Sequence, residues 1–168
     1  MTKVFGITGW KNSGKTTLVA RLVEEFTKRG LRVSTIKHAS HTYTLDHDGT
    51  DTFAHKKAGA YEVAIAAGSR WAVMHEADAS EPEQTLETML ARLTPCDMVL
   101  VEGFKTSAIP KLQTMRSDAR EHTPMWETNE TVIAIAADHD VDPQGRSLFR
   151  IDDVTAIADY IISTTPDR

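Results

Sequence analysis

Cysteine is almost missing from this chain. Cys96 is the one copy in 168 residues, so no disulfide can close within it. Long apolar runs are missing as well: no stretch approaches the ~20 residues that a membrane helix needs, and the first residues, "MTKVFG", carry nothing like the apolar stretch of a signal peptide. There is no basic excess either. The 19 Lys+Arg stand against 24 Asp+Glu, a formal net charge of -5, which argues against broad binding to nucleic acid. Internal repeats, low-complexity tracts and linker-like stretches are absent too. These absences lead to the expectation of a single reduced, cytoplasmic domain over residues 1–168, long enough for a real core. Cys96, just ahead of an apolar run, is expected to be inert packing.

What is present is concentrated near the start. Residues 9–16 read "GWKNSGKT", directly after the apolar, partly β-branched run from Val4 to Thr8. From Lys15 to Arg29 the apolar residues Leu18, Val19, Leu22, Val23 and Phe26 recur at helical spacing, and Gly30 stands where a left-handed residue ends a helix. A G-x-x-x-x-G-K-[ST] segment that joins a strand to a helix N-terminus is a P-loop, or Walker A segment. Gly9 and Gly14 let the backbone turn tightly and approach a ligand with no Cβ in the way. The turn's N–H groups and the helix N-terminus then converge on an anion. Lys15 is placed to neutralise β- and γ-phosphates and the Thr16 hydroxyl to take one position on Mg²⁺. Asn12, Ser13 and Thr17 complete the candidate nucleotide-binding residues. The alternative is a glycine-rich turn with no ligand.

A P-loop needs a second anchor for its metal, usually an acid that ends a buried strand. "DMVLVEGF", Asp97 to Phe104, offers Glu102 at the end of such a run, where ligands of parallel sheets sit. A solvated strand-end acid is the other reading, and Glu in place of the commoner Asp keeps it open.

The remaining pattern predicts an α/β domain of the P-loop NTPase type: three layers and a mainly parallel sheet, plus a β-hairpin. "LRVSTIK" (31–37) reads as a strand, 51–57 as a short helix, and "EVAIAAGSRWAVMHE" as a hairpin with a II′-type turn at Gly68-Ser69. Ser80 with Glu83 resembles a capping box for a helix through Leu93. "PKLQTMR" and "TVIAIAA" read as two more strands, and 152–163 as a closing helix. Residues 117–130 are the least regular and are expected to be a mobile loop. Between 37 and 60, His38, His41, His47 and His55 crowd beside Asp46, Asp48 and Asp51. A transition-metal site, a solvated polar loop and a role on the phosphate or substrate side all remain open there.

Four blocks together, "GWKNSGKTT", "IKH" followed by "DHDGTD" and "HKKAGA", "LVEGFK", and "PKLQTMR", give the chain a resemblance that covers most of its length. It resembles the MobB family of molybdopterin-guanine dinucleotide biosynthesis proteins. The resemblance implies a GTP-binding adaptor that assists a MobA-type guanylyltransferase in joining GMP to molybdopterin, and a homodimer. It places Gly14, Lys15, Thr16 and Thr17 in the nucleotide loop, and Asp51 and Glu102 near the metal and γ-phosphate. Gly103 and Lys105 match by type, without a role. One departure is "DHDGTD", where a proline is expected before the glycine; with His47-Asp48 in its place the loop is expected to be more flexible.

The N-K-x-D guanine motif is missing. Asp138, at the end of "TVIAIAAD", is its candidate substitute, able to accept from guanine N1 and N2, with a plain strand-end aspartate as the alternative. Lys11 lies one place too late for the second lysine of the deviant Walker ATPases. Two functions follow: a GTP-binding adaptor with slow hydrolysis at most, or a small-molecule kinase in which Arg116 and Arg120 form a cationic lid. A solvated charged face is the plain reading of both arginines. Ile65, Trp71, Val73 and Met74 in the hairpin suggest a C2 dimer contact, or else subunit core.

Overall fold

In the first strand successive side chains alternate between two faces, and each face finds a different cover. The computed structural model describes residues 1–39, 46–77 and 81–168. The strands are β1 (Lys3–Thr8), β2 (Val33–Lys37), β3 (Glu62–Ala67), β4 (Arg70–His75), β5 (Met98–Glu102), β6 (Lys111–Met115), β7 (Val132–Ala137) and β8 (Ser147–Arg150). The helices are α1 (Lys15–Lys28), α2 (Asp51–Lys57), α3 (Leu86–Ala91) and α4 (Val154–Thr164). Residues 1–38 with 86–168 form one compact unit and residues 39–85 a second.

The first unit is the α/β layer structure that the sequence predicts. Its six strands run in the order β2-β5-β1-β6-β7-β8, and every neighbouring pair is parallel. Phe5 and Ile7 of β1 pack with Leu100, Leu112 and Ala134 against Leu18, Leu22 and Phe26 of α1 and Ile157, Ala158 and Ile161 of α4. Val4, Val99, Val101 and Ile109 pack on the opposite face with Leu86. Helix α1 ends as its sequence suggests: Gly30 has φ 84°, and the Leu31 N–H closes onto the Phe26 carbonyl at 3.1 Å. Strand β1 has β5 on one side and β6 on the other, so chain order reverses there. Its carboxyl end opens on the crevice where ligands of such sheets bind.

Several details differ from the sequence reading. Strand β8 was not anticipated, because "SLFR" is short and half polar. The helix before Leu93 starts only at Leu86, and Ser80 of the expected capping box lies outside the described residues. Residues 117–130 are irregular apart from a 3₁₀ turn at Met125–Glu127, but they are anchored rather than free. Trp126 is only 2% exposed and donates to Gln144 Oε1 at 3.1 Å, while the Met125 N–H donates to Gln113 Oε1 at 2.7 Å. Lys111 on β6 is fully buried. Its ammonium donates to the carbonyls of Ser107 and Ile109 and to Thr131 Oγ1, so each N–H finds an oxygen. Cys96 is buried, with its thiol near the Met98 carbonyl.

In the second unit, Thr50 caps α2 by accepting from the Phe53 N–H at 3.2 Å. Strands β3 and β4 pair antiparallel from Glu62↔His75 to Ala67↔Arg70. Gly68 has φ 59° and Ser69 is not left-handed, as a II′ turn requires. The hairpin exposes Ile65 (49%), Trp71 (74%) and Val73 (51%). Asp46 accepts from the His47 N–H and from Thr50 Oγ1. Among the described residues no group of three or more His, Cys, Asp or Glu side chains is arranged to hold a metal, and no helix is long and apolar enough to cross a membrane. His41 lies outside the described residues.

Candidate phosphate-binding site

The site grows out of the carboxyl end of β1. Gly9 has φ 146°, and a Cβ there would fall 2.5 Å from Ser13 Oγ and 2.7 Å from Thr114 Oγ1. Those two hydroxyls are buried and hydrogen-bonded at 2.8 Å, which ties the loop to β6. The Ser13 hydroxyl is therefore engaged with the sheet. Asn12 takes a left-handed φ of 63°, and the Ser13 N–H closes the turn on the Trp10 carbonyl at 3.3 Å.

Gly14 opens α1 with φ 91°. The helix start has no side-chain cap and no acidic residue in its first turn. Its free N–H groups and positive dipole end are thus left for an anion. Lys15, Thr16 and Thr17 form that first turn, with both threonines exposed. Lys15 Nζ donates to the Trp10 carbonyl at 2.6 Å. Burial pushes its pKa down; Glu102 opposes this, and Lys105 and Lys37 add to it.

Glu102 ends β5 beside this turn. Thr16 Oγ1 lies 3.2 Å from each of its carboxylate oxygens, and Lys37 Nζ lies 3.4 Å from Oε1. A hydroxyl and a carboxylate held together in this way are hard oxygen donors, the kind that suits Mg²⁺. The chain then turns sharply. Gly103 has φ 95°, where a Cβ would come within 2.9 Å of His38 Cβ and of the His38 carbonyl oxygen. Phe104 is also left-handed at φ 46°, a conformation that costs a non-glycine residue about 1–3 kcal/mol. It is held by stacking on His38, with ring centroids 4.5 Å apart. Lys105 emerges with its Nζ 4.5 Å above the Trp10 ring. Trp10 in turn donates from Nε1 to the Thr123 carbonyl at 2.8 Å, and Asn129 Nδ2 holds the Lys105 carbonyl at 2.8 Å.

Asp138 stands just past β7. Its Oδ1 accepts from the Ser117 N–H at 2.7 Å and faces His139 Nδ1 at 2.9 Å, while Oδ2 lies 3.6 Å from Arg116 Nε. The His139 contact, the Ser117 amide and the Arg116 charge hold its carboxyl below the usual range. The Arg116 stem packs beside the loop, since a Cβ on Gly14 would sit 3.1 Å from Arg116 Cδ, and its Nε also pairs with Asp118 at 3.2 Å. Arg116 is therefore engaged at the crevice, whereas Arg120 is exposed. Asp51 is the exposed first residue of α2 in the other unit.

The family model for MobB, "Molybdopterin guanine dinucleotide synthesis protein B", matches residues 4–138. The chain belongs to the MobB family. Two relatives carry the name molybdopterin-guanine dinucleotide biosynthesis adapter protein. The one from Haemophilus influenzae is 39% identical over 158 residues, spanning 94% of this chain and 86% of the relative. The one from Escherichia coli is 33% identical over 164 residues, spanning 96% and 93%. A crystal structure of molybdopterin-guanine biosynthesis protein B superposes with a TM-score of 0.71 at 28% identity, covering 95% of this chain and 98% of that one.

The MobB match runs from β1 through Glu102 to Asp138, and β8 and α4 follow it. Sequence reading missed Trp10, Lys37 and Thr114 as parts of this site and left Lys105 of the MobB block "LVEGFK" without a role. The signal was the block itself, since a glycine directly after a strand-end acid marks a turn that could not be followed without coordinates.

Proposed function

We propose that this chain is a GTP-binding adaptor in molybdopterin-guanine dinucleotide synthesis, serving a MobA-type guanylyltransferase. The observation that carries the reading is the uncapped, acid-free start of α1 wrapped by the Gly9–Thr16 loop, with the Thr16–Glu102 pair beside it. In this reading the loop amides from Gly9 through Thr17 bind the phosphates, with Asn12 and Ser13 contributing through the backbone and Lys15 as the cation. Thr16 and Glu102 would hold Mg²⁺, which would supply positive charge against the phosphates. Asp51 as a further acid near the metal rests on the family resemblance alone. Asp138 reads the guanine edge.

The relatives' names supply the adapter role and molybdopterin-guanine dinucleotide biosynthesis, and the reading adds molybdopterin itself as a further partner. The proposal treats residues 1–168 as one nucleotide-binding domain in which 39–85 is an insertion between β2 and β5. It takes the protein to be a cytoplasmic homodimer that meets neither nucleic acid nor membrane. The test is calorimetry with GTP, ATP and GDP in Mg²⁺, joined to mass spectrometry of nucleotide that copurifies with the native protein. Tight, guanine-selective binding is the expected result; adenine preference or no nucleotide would overturn it.

A further inference from the structure

We propose that Lys105, set over the phosphate loop by the left-handed Gly103-Phe104 turn and docked on Trp10, is the cation that makes this site prefer a nucleoside triphosphate to a diphosphate. The inference rests on the nucleotide reading above and adds to it a residue and a selectivity.

Three observations carry it. First, Lys105 is aimed by construction. Two consecutive left-handed residues follow Glu102, one of them a phenylalanine, and His38 holds the turn by filling the space a Gly103 Cβ would need and by stacking on Phe104. Strained backbone of this kind persists where a side chain must be delivered to one place, and it clusters at ligand clamps. Second, the side chain's resting place is part of the phosphate loop. Trp10 follows Gly9, its indole N–H is fixed on the Thr123 carbonyl, and the Lys105 ammonium sits on the face of that ring. Third, the cations at the loop outnumber its acids. Lys15 interacts electrostatically with Lys37, Lys105 and the one carboxylate of Glu102 among the described residues, and Lys37 pairs with that carboxylate at 3.4 Å, in a chain whose net charge is -5.

The roles divide by contact. Lys15 is on α1 and bonded to the loop's own carbonyl, and Lys37 already faces Glu102. Lys105 is exposed and, among the described residues, its ammonium is held by the ring face alone, an attraction that a phosphate oxygen outcompetes. It enters from the Glu102 side, the side on which the proposed metal and the terminal phosphate belong. The additional charge of a triphosphate is therefore what it reads.

The experiment is titration calorimetry of GTP and GDP, in Mg²⁺ at fixed ionic strength, with wild type, Lys105→Ala, Lys105→Arg and Lys28→Ala. Lys28 is an exposed lysine at the far end of α1 and controls for net charge. Lys105→Ala is expected to weaken GTP about tenfold or more, the size of one hydrogen bond to a charged group, and GDP by less than about threefold. Lys105→Arg should retain most of the preference, and Lys28→Ala should leave the GTP/GDP ratio unchanged. A ratio unchanged in Lys105→Ala, or lowered equally by Lys28→Ala, overturns the inference while wild-type binding keeps the nucleotide reading intact. No binding of either nucleotide by the wild type overturns both.

Discussion

Thr16 Oγ1 is equidistant, at 3.2 Å, from the two carboxylate oxygens of Glu102, although the residues lie 86 positions apart. The parallel pairing of β1 with β5 produces this, placing Ile7 opposite Glu102 so that the loop after β1 begins beside the acid. If the pair holds Mg²⁺, Glu102→Gln should weaken Mg²⁺–GTP about tenfold or more, one charge-assisted contact. In EDTA the same variant should bind GTP equally or more tightly, because it loses a negative charge beside Lys15 and Lys37. Calorimetry in both buffers checks this, and equal losses in both would assign Glu102 to the fold instead.

Lys15→Ala should abolish tight triphosphate binding with the fold intact. The loss is expected to be about 2–5 kcal/mol, as for one partner of a desolvated charge pair. Among the described residues the ammonium makes one hydrogen bond, to the Trp10 carbonyl, so thermal unfolding should shift little. Near-normal GTP affinity in a folded variant would remove the phosphate-loop assignment.

How far these elements were legible depends on how local their causes are. Helix α1 was readable because its periodicity, its glycine start and its Gly30 stop are all within the segment. Helix α2 was readable in the same way, through its flanking turn residues. The hairpin was readable because Gly68-Ser69 separates two apolar runs. Strand β8 was not, since Leu148 and Phe149 become a strand only through their pairing with β7. The same holds at the site. The glycine-lysine-threonine spacing suggests a phosphate loop by itself, but Lys105 over Trp10 and Arg116 beside Gly14 bring together segments distant in sequence. Lys111 looked like an ordinary charged residue in "PKLQTMR" and is buried, because Gly6 on the neighbouring strand leaves room for its stem.

Burial lowers the Lys111 pKa from 10.5 to about 8, with its three oxygen acceptors retaining the proton against that pressure. The unfolded chain then holds more protons than the folded one between those values. The stability that this residue contributes therefore rises as pH increases from about 8 toward 10.5 and is flat below. Lys111→Met should destabilise at neutral pH by about 1–3 kcal/mol, since it strands buried acceptors. Denaturant unfolding of both proteins from pH 7 to 10 should show the gap widening upward. A gap that narrows would reverse the sign and place the proton on the folded side.

Hydrolysis by the isolated protein should be slow, well below the roughly 1–100 s⁻¹ of kinases. Rapid transfer needs a residue that orients the attacking water and an arginine that reaches the developing γ-phosphate charge, and Arg116, the arginine beside the loop, is engaged with Asp118 and Asp138. Phosphate release measured alone and with small-molecule acceptors checks this. Fast acceptor-dependent turnover abolished by Arg116→Ala or Arg120→Ala would favour the kinase reading.

The hairpin gives the last prediction. Its register puts Ala64, Ala66, Trp71 and Val73 on one face and Val63, Ile65, Ala72 and Met74 on the other, so both faces are apolar. Two strands alone are marginal in water, and a pair that gains no third strand among the described residues and exposes Trp71, Ile65 and Val73 invites association. A twofold partner satisfies these demands with one self-complementary surface, whereas a second kind of partner would leave free copies of the protein unprotected. Sedimentation at micromolar concentration should therefore show a dimer with and without GTP. Trp71→Glu buries a charge at that contact and should shift the protein to monomer, while Glu102→Gln should not. Retained secondary structure and GTP binding in Trp71→Glu would show that assembly, not folding, was lost. A wild-type monomer under both conditions would end the dimer proposal and leave the hairpin for the partner enzyme.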